Sequence, residues 1–452
     1  MNDPAEIKDS ILRKYQDLLR NMDPLRPTGR VAQVTGLSII SEGPPDVSIG
    51  DLCRVELGNT DEMLSCEVVG FQGHRLVLMP LGSTAGVFPE AHVMAQGRRL
   101  AMPINDNLPG RVLDGLGRPL DKKSPIISSN LRFIDADPPL PTDREPIRMA
   151  METGVRAIDS MLTIGAGQRV GIFAGTGVGK STLLGMIARY TRADINVICL
   201  VGERGREVRE FLEDDLGEEG LKKSVVFAAT SDRSAMEKVY AAGFATSVAE
   251  YFRDQGLHVN LYMDSLTRYC MALREIGISS GDQIGPGGFP PGVWFRMSRL
   301  LERAGTNQKG SITGFYTVLV EADDMNDPVA DNARGVLDGH MVLTRRLAQR
   351  GHYPSIEITE SISRVMDKII KPEHLADATR LRSILAAYRE NEELVNLGAY
   401  ARGSNPDVDE YLEKQQAINA FLRQNINDGA DMEQTVKRLH GLVARVEEEE
   451  LY

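Results

Sequence analysis

The alternation of hydrophobic and polar positions divides the chain into four regions. Apolar side chains recur at helical spacing in residues 1–22, until Pro24 ends the pattern. This segment is either a helix packed on its own domain or a docking helix for a partner. Residues 28–95 carry short apolar runs between turn residues, which predicts a small β-barrel. The predicted barrel strands are residues 30–40, 52–57, 66–71 and 75–80.

The two remaining regions predict a parallel sheet and a bundle of helices. In residues 150–370, strand-like runs alternate with helical patterns, which predicts a parallel sheet covered by helices on both faces. Residues 110–118 are predicted to lie in a loop-rich bridge, and residues 277–292 in a long Gly- and Pro-rich loop. The predicted sheet strands are residues 169–173, 197–201, 225–229, 258–263 and 313–320. The predicted C-terminal helices are residues 375–397 and 408–425.

The fold class is therefore α/β and multidomain. We expect a partner-docking helix, a β-barrel, a central parallel-sheet domain and a C-terminal helical domain. Their predicted bounds are residues 1–24, 25–96, 97–370 and 371–452. The acidic run at residues 447–450 is predicted to be a solvated tail.

Composition narrows the class of protein. A chain of 452 residues is too long for one compact core. The net charge of −12 disfavours non-specific binding to nucleic acid or to anionic membranes. The four cysteines are widely spread and form no CxxC pair, which indicates a reducing compartment. There is no run of 18 apolar residues and no signal-peptide pattern, so we expect a soluble, cytoplasmic protein that a partner would bring to a membrane.

Residues 173–182, with the sequence FAGTGVGKST, match a phosphate-binding loop between a predicted strand and a predicted helix. Lys180 would reach the β- and γ-phosphates, and Ser181 would hold Mg²⁺. The general pattern begins with Gly, whereas this chain has Ala174, which cannot adopt a positive φ freely. The predicted nucleotide-binding residues are Gly175, Thr176, Gly177, Val178, Gly179, Lys180, Ser181 and Thr182.

Two carboxylates follow other predicted strands. Asp264 ends the strand at residues 258–263 and suits the aspartate that holds Mg²⁺ through water. Glu203 follows the strand at residues 197–201, and it is either a base that deprotonates the attacking water or part of a surface turn. Because ligands bind at the carboxyl ends of parallel strands, both should converge on the nucleotide.

Further segments accompany the loop in an unbroken order. They are residues 171–182, GERGREV at 202–208, DSLTRY at 264–269, REIG at 274–277, GFPP at 288–291, RLLERAG at 299–305, EADD at 321–324 and SISRV at 361–365. Together these segments resemble the rotary-type ATPase subunits of the F1 α/β superfamily. More narrowly, they resemble the export ATPases of flagellar and injectisome type III secretion systems. The resemblance implies a RecA-like ATPase domain that uses ATP and Mg²⁺.

The resemblance also implies roles for single residues. Glu203 matches the catalytic glutamate, and Arg204 and Arg268 match arginines that contact the phosphates. Tyr353 matches an aromatic residue that stacks on adenine, with Tyr400 as a weaker second candidate for the base pocket. For each arginine the alternative is a structural ion pair, and for Tyr353 it is a packed interface tyrosine.

Arg364 matches an arginine finger that reaches into the site of the neighbouring subunit. A chain with both a catalytic set and a finger implies a homohexamer, a closed ring with six equivalent sites. The resemblance places the loop at 277–292 near the central pore. It implies as partners a peripheral-stalk regulator bound by the N-terminal helix, a central coiled-coil stalk protein, an export-gate membrane protein and chaperone–substrate complexes, and it implies no nucleic acid.

The leading hypothesis is a homohexameric Mg-ATPase that energises type III export by releasing chaperones and unfolding substrates at the export gate. Flagellar use is favoured over injectisome use, at the inner membrane. One alternative is the catalytic subunit of a rotary ATP synthase. A second is an RNA translocase, which the net charge and a barrel without an aromatic and basic stretch disfavour. A third is a non-catalytic nucleotide-binding subunit, which the presence of Glu203 disfavours.

Overall fold

The computed structural model describes residues 27–58, 61–320 and 327–444. The chain divides between Leu100 and Ala101 into two compact units. The predicted helix in residues 1–22 and the predicted acidic tail lie outside the described residues.

The first unit contains a β-barrel. In its described part six strands close the barrel in the order β1-β2-β5-β4-β3-β6. These strands are β1 (Thr28–Thr35), β2 (Ser38–Glu42), β3 (Asp51–Glu56), β4 (Met63–Gln72), β5 (Arg75–Pro80) and β6 (His92–Arg99). Alternate side chains such as Val55, Val68 and Leu78 fill the interior.

Two features of the barrel differ from the sequence prediction. The strand predicted at residues 30–40 is split into β1 and β2 by a turn at Gly36, whose φ is 56°. The closing strand β6 was not predicted, because most of its residues are exposed or half-buried and it has no clear apolar alternation. The prediction of a small β-barrel is confirmed.

The second unit contains a mainly parallel sheet. The strands that precede and build it are β7 (Met102–Pro103), β8 (Arg111–Asp114), β9 (Leu131–Arg132), β10 (Ala150–Met151), β11 (Ile164–Gly165), β12 (Arg169–Ala174), β13 (Ile195–Val201), β14 (Ser224–Ala229), β15 (His258–Asp264), β16 (Gly305–Thr306), β17 (Ser311–Leu319), β18 (Gly339–Leu343) and β19 (Ile362–Ser363). Within the described residues the large sheet has nine strands in the order β19-β18-β12-β17-β15-β13-β14-β8, with β16 beside β17. All five predicted strands are present within two residues of their predicted ends.

The order of the central strands positions the site. Strands β12, β17, β15 and β13 are parallel neighbours, so their carboxyl ends meet at one edge of the sheet. Every residue of β13 and β14 is buried, as expected for strands covered on both faces. The bridge predicted at residues 110–118 is partly wrong, because β8 pairs there with β14 as an edge strand. A strand this short carries too little apolar pattern to be recognised.

Helices cover the sheet and form the C-terminal region. They are α1 (Arg156–Met161), α2 (Lys180–Tyr190), α3 (Gly205–Glu210), α4 (Gly217–Lys222), α5 (Ala235–Arg253), α6 (Leu266–Ser279), α7 (Pro291–Glu302), α8 (Pro328–Val336), α9 (Arg345–Gln349), α10 (Met366–Ile369), α11 (Pro372–Asn396), α12 (Pro406–Leu422) and α13 (Met432–Val443). A π-helical turn, Phe211–Leu216, joins α3 to α4. The loop predicted at residues 277–292 is shorter than expected, because α6 continues to Ser279 and α7 already begins at Pro291.

The C-terminal helices share one hydrophobic core with the sheet. Leu381 on α11, Phe421 on α12 and Leu439 on α13 are buried in the same cluster as Ile158 on α1 and Ile172 on β12. The two predicted C-terminal helices are confirmed as α11 and α12, whereas α13 was not predicted. Among the described helices, none has the length and apolar character needed to cross a membrane.

Candidate nucleotide-binding site

The phosphate-binding loop joins β12 to α2 at the carboxyl edge of the sheet. Gly177 and Gly179 have φ values of 79° and 91°, in the left-handed region that favours glycine. Ala174 lies inside β12, where it pairs with Leu319 and Leu343. A position that belongs to the strand does not require glycine, which explains how alanine is accommodated there.

Three charged side chains meet above the ends of β12, β13 and β15. The Lys180 Nζ lies 2.5 Å from Asp264 Oδ1 and 3.4 Å from Glu203 Oε1. The side chains of Lys180, Glu203 and Asp264 are 12%, 18% and 3% exposed. The predicted convergence of the two carboxylates on the loop is therefore present in the fold.

Burial and mutual charge change the acidity of this group. The pKa of Glu203 is raised to about 7: burial is the largest cause and the negative charge of Asp264 adds to it, whereas Lys180 opposes both effects. Burial alone would lower the pKa of Lys180, but attraction to Asp264 and then to Glu203 outweighs it, and the pKa is raised. The lysine is thus a permanent cation, and Glu203 titrates close to neutral pH, where a general base is most effective.

A cavity of about 650 Å³ opens beside these groups. This volume lies within the usual range of small-molecule sites. The predicted residues that line the cavity are Gly175, Thr176, Gly177, Gly179, Lys180, Ser181, Thr182, Glu203, Arg204 and Arg268. The wall also contains Glu207, Ser231 and Lys238, which were not predicted as site residues. Glu207 lies in the GERGREV segment, whereas no local sequence signal distinguishes Ser231 and Lys238 from ordinary surface residues.

The two predicted phosphate-contacting arginines occupy different surroundings. Arg204 is largely exposed, and its Nη1 lies 3.2 Å from Glu207 Oε1. The stem of Arg268 packs against the exit of β13, since a Cβ at Gly202 would lie 3.0 Å from the Arg268 Cβ. Both residues line the cavity, outside the buried cluster of Lys180, Glu203 and Asp264.

Four predicted site residues do not line the cavity. The Val178 side chain is buried beneath the loop, and Asp264 lies behind Lys180. The Tyr353 ring lies against the loop, since a Cβ at Gly179 would be 3.4 Å from the ring. Tyr353 is nevertheless 44% exposed. Arg364 is exposed, and its Nη2 donates a hydrogen bond to the Arg334 carbonyl oxygen at 3.1 Å.

Tyr400, the weaker base-pocket candidate, is engaged at the start of α12. Its hydroxyl group accepts a hydrogen bond from the Asn405 N–H at 3.2 Å and lies 3.2 Å from Asp409 Oδ1. These contacts tie down the loop before α12, and they give Tyr400 a structural role there.

Two buried hydroxyl groups support the site and were missed in the sequence. Thr317 on β17 donates a hydrogen bond to Asp264 Oδ1 at 2.7 Å. Ser355 donates one to the Val178 carbonyl oxygen at 2.6 Å. The strand of Thr317 also contains Ser311 and Thr313, so the sequence does not single out Thr317, and nothing local marks Ser355.

The oxygen ligands at the site fit Mg²⁺. The Ser181 hydroxyl and the Asp264 carboxylate are hard oxygen donors, which this ion prefers. Among the described residues there is no group of three His, Cys, Asp or Glu side chains that would hold a metal unaided. At nucleotide sites Mg²⁺ is usually bound by one or two protein ligands together with substrate phosphates and water.

Family models match most of the chain. The nucleotide-binding domain of the ATP synthase alpha/beta family matches residues 154–363. The beta-barrel domain of the same family matches residues 31–97. The T3SS EscN ATPase C-terminal domain matches residues 370–441. The predicted fold class, a barrel followed by an ATPase domain and a helical region, is confirmed.

Individual relatives and solved structures agree with these models. A "Flagellum-specific ATP synthase" of Bacillus subtilis is 48% identical, over 95% of this chain and 98% of the relative. A "Type 3 secretion system ATPase" of Xanthomonas euvesicatoria is 47% identical, over 92% of this chain and 93% of the relative. The assembled ATPase EscN of the enteropathogenic E. coli type III secretion system has a TM-score of 0.87 and 42% identity, over 92% of this chain and 100% of that chain. A second structure, of EscN in complex with its central stalk EscO, has a TM-score of 0.84 and 41% identity, over 92% of this chain and 100% of that chain.

A phosphate-binding loop with a paired lysine, glutamate and aspartate thus occurs in a chain that matches these proteins over nearly its whole length. The chain belongs to the family of type III export ATPases, which comprises flagellum-specific ATP synthases and type 3 secretion system ATPases.

Proposed function

We propose that this ATPase works as a homohexamer that hydrolyses Mg-ATP to drive flagellar protein export, releasing chaperones and unfolding substrates at the export gate. The observation that carries the catalytic part is the convergence of Lys180, Glu203 and Asp264 beside a cavity of nucleotide size. A base with a pKa near 7, a fixed cation and a buried metal-binding carboxylate are the groups that phosphoryl transfer to water requires.

When a nucleotide binds, its phosphates would replace part of the ion pairs that Lys180 makes with Glu203 and Asp264. The loop N–H groups and Lys180 bind the phosphates, so Lys180 gives up part of its contact with Glu203 and Asp264. Ser181 and Asp264 would hold Mg²⁺, which neutralises charge on the β- and γ-phosphates. Glu203 accepts a proton from the attacking water, and the withdrawal of Lys180 makes it a stronger base.

Arginines and an aromatic ring would complete the site. Arg204 and Arg268 face the cavity and are placed to contact the phosphates. Tyr353 lies against the phosphate loop with an exposed ring, which suits stacking on adenine. Arg364 is exposed and does not line its own cavity, which suits a finger that acts on the neighbouring subunit's nucleotide.

The proposed assembly extends to partners. The relative EscN forms an assembly and binds a central stalk, and we propose the same for this chain. We further propose that the N-terminal helix in residues 1–22 binds a peripheral-stalk regulator. The ring would then work on the cytoplasmic side of the inner membrane, where it meets the gate protein and chaperone–substrate complexes, without nucleic acid.

A mixing experiment tests the shared site. Glu203→Gln and Arg364→Ala should each bind ATP and hydrolyse it very poorly. In a ring assembled from equal amounts of both, about a quarter of the sites combine an intact Glu203 with a neighbour's intact Arg364, so activity should partly return. The concentration dependence of wild-type activity shows under which conditions rings form.

Two outcomes would count against the proposal. Near-normal hydrolysis by Glu203→Gln would remove this residue as the base. Mixed rings that form, as judged by co-purification of differently tagged subunits, yet stay inactive would refute the contribution of Arg364 in trans.

A further inference from the structure

One oxygen of Asp264 receives two hydrogen bonds of different origin. Lys180 donates to Oδ1 at 2.5 Å, and Thr317 donates to the same oxygen at 2.7 Å. Thr317 lies on β17, which is hydrogen-bonded on one side to β12, leading into the phosphate loop, and on the other side to β15, ending at Asp264. Thr317 therefore lies on the strand between β12 and β15, and these two strands lead into the phosphate-binding loop and end at Asp264.

Only one good hydrogen-bond acceptor lies within reach of the Thr317 hydroxyl among the described residues. The side chain is fully buried, and a buried hydroxyl must find an acceptor. Its other acceptor, the Met263 carbonyl oxygen, is 3.5 Å away, too far for a strong hydrogen bond. A β-branched side chain on a central strand is also restricted at χ1. The proton is thus directed at Asp264.

The two donors behave differently when a nucleotide binds. In the proposed function Lys180 turns towards the phosphates, so its contact with Asp264 weakens. Thr317 should stay in place, since its strand β17 is hydrogen-bonded to β12 on one side and to β15 on the other. The hydrogen bond from Thr317 therefore remains when the bond from Lys180 is exchanged.

We propose that Thr317 is a positioning residue for the metal-binding carboxylate of Asp264. By holding Oδ1, it fixes the rotation of the carboxylate and keeps Oδ2 available to a metal-bound water throughout the cycle. This inference rests on the proposed role of Asp264. Partners that orient metal ligands in this way typically change metal affinity or activity 10- to 100-fold when they are removed.

The test compares Thr317→Val, which keeps the shape and loses the hydroxyl, with Thr317→Ser, which keeps the hydroxyl. The readout is the affinity for a fluorescent ADP analogue, measured at increasing Mg²⁺ and separately with excess chelator. Thr317→Val should raise the half-saturating Mg²⁺ concentration about 10-fold or more, with binding in chelator unchanged. Thr317→Ser should restore the wild-type Mg²⁺ dependence.

A matched control separates this role from a contribution to packing. Thr313 lies on the same strand, is equally buried, and accepts a hydrogen bond from the Gly167 N–H at 2.9 Å. Thr313→Val should lower stability without changing the Mg²⁺ dependence. If Thr317→Val does not fold, Thr317→Ala serves as the hydroxyl-free variant, because it places no methyl groups against the carboxylate.

The outcomes distinguish this inference from the function on which it rests. An unchanged Mg²⁺ dependence in the folded hydroxyl-free variant overturns the inference. A Thr317→Ser variant as impaired as Thr317→Val does so as well, because the hydroxyl would then not be the relevant group. Asp264→Asn is measured alongside: if it also leaves the Mg²⁺ dependence unchanged, the proposed role of Asp264 fails, whereas a shift in Asp264→Asn alone leaves that role intact.

Discussion

Replacing the proposed base should stabilise the folded protein. In the nucleotide-free site, burial raises the pKa of Glu203 from 4.5 to about 7. Each pH unit of difference between folded and unfolded states corresponds to about 1.4 kcal/mol, so the ionised carboxylate costs the folded state about 3 kcal/mol. Glu203→Gln has the same shape without the charge, and Lys180 keeps its contact with Asp264.

The effect has a defined dependence on pH. Between pH 4.5 and about 7 the folded wild type keeps a proton that the unfolded chain has lost, so its stability falls as the pH rises through this window. The Glu203→Gln variant lacks this fall in stability. We expect it to be more stable by about 3 kcal/mol at pH 8 and by only about 1 kcal/mol at pH 5.5.

Urea unfolding without nucleotide or Mg²⁺ measures the difference. The fluorescence of Trp294, the single tryptophan, reports on the unit that contains the site. Glu213→Gln is the control, since its carboxylate is 60% exposed in an ion pair with Arg209 and should contribute less than about 1 kcal/mol. A Glu203→Gln variant that is no more stable than wild type at pH 8, or whose advantage does not shrink at pH 5.5, would refute the reasoning.

Two further predictions concern the loop and the biological system. Ser355→Ala removes the hydroxyl that donates to the Val178 carbonyl oxygen. The N–H of Gly179 belongs to the same peptide plane and points the opposite way, so it should lose its alignment in the phosphate-binding loop. Steady-state kinetics should show the KM for ATP raised about 3- to 10-fold, with kcat nearly unchanged. A fall in kcat at constant KM would contradict this. Expression of this protein in a bacterial strain that lacks its own flagellar export ATPase should restore swimming. If the protein instead restores only the secretion of a strain that lacks its injectisome ATPase, it belongs to the injectisome system.

Local sequence patterns were sufficient for the elements nearest the chemistry. Strand β12, the glycine turn and the start of α2 follow one another directly, and each is specified by its own residues: an apolar run, glycines that tolerate positive φ, and a helical pattern. The convergence of Glu203 and Asp264 on Lys180 was also predictable, because residues at the carboxyl ends of parallel strands share one edge of a sheet.

Elements that depend on distant partners were not predictable in this way. The edge strand β8 and the closing strand β6 have weak patterns of their own and are stabilised by pairing with β14 and with β1 and β3. Such pairing energy comes from residues far away in the chain. The same holds for α13, which is short and amphipathic and is buried only because α1 and α11 lie beside it.

The residues of the chain alone therefore predict the kind of chemistry: a loop that binds phosphate, a proposed base and a proposed metal-binding carboxylate, each following an apolar strand. The tertiary structure decides how these groups act on one another. Only the order of β12, β17 and β15 places Thr317 next to Asp264. Only burial at that edge, together with the nearby charge of Asp264, brings the pKa of Glu203 to about 7. Distances and dielectric surroundings are properties of packed side chains, and no stretch of sequence contains them by itself.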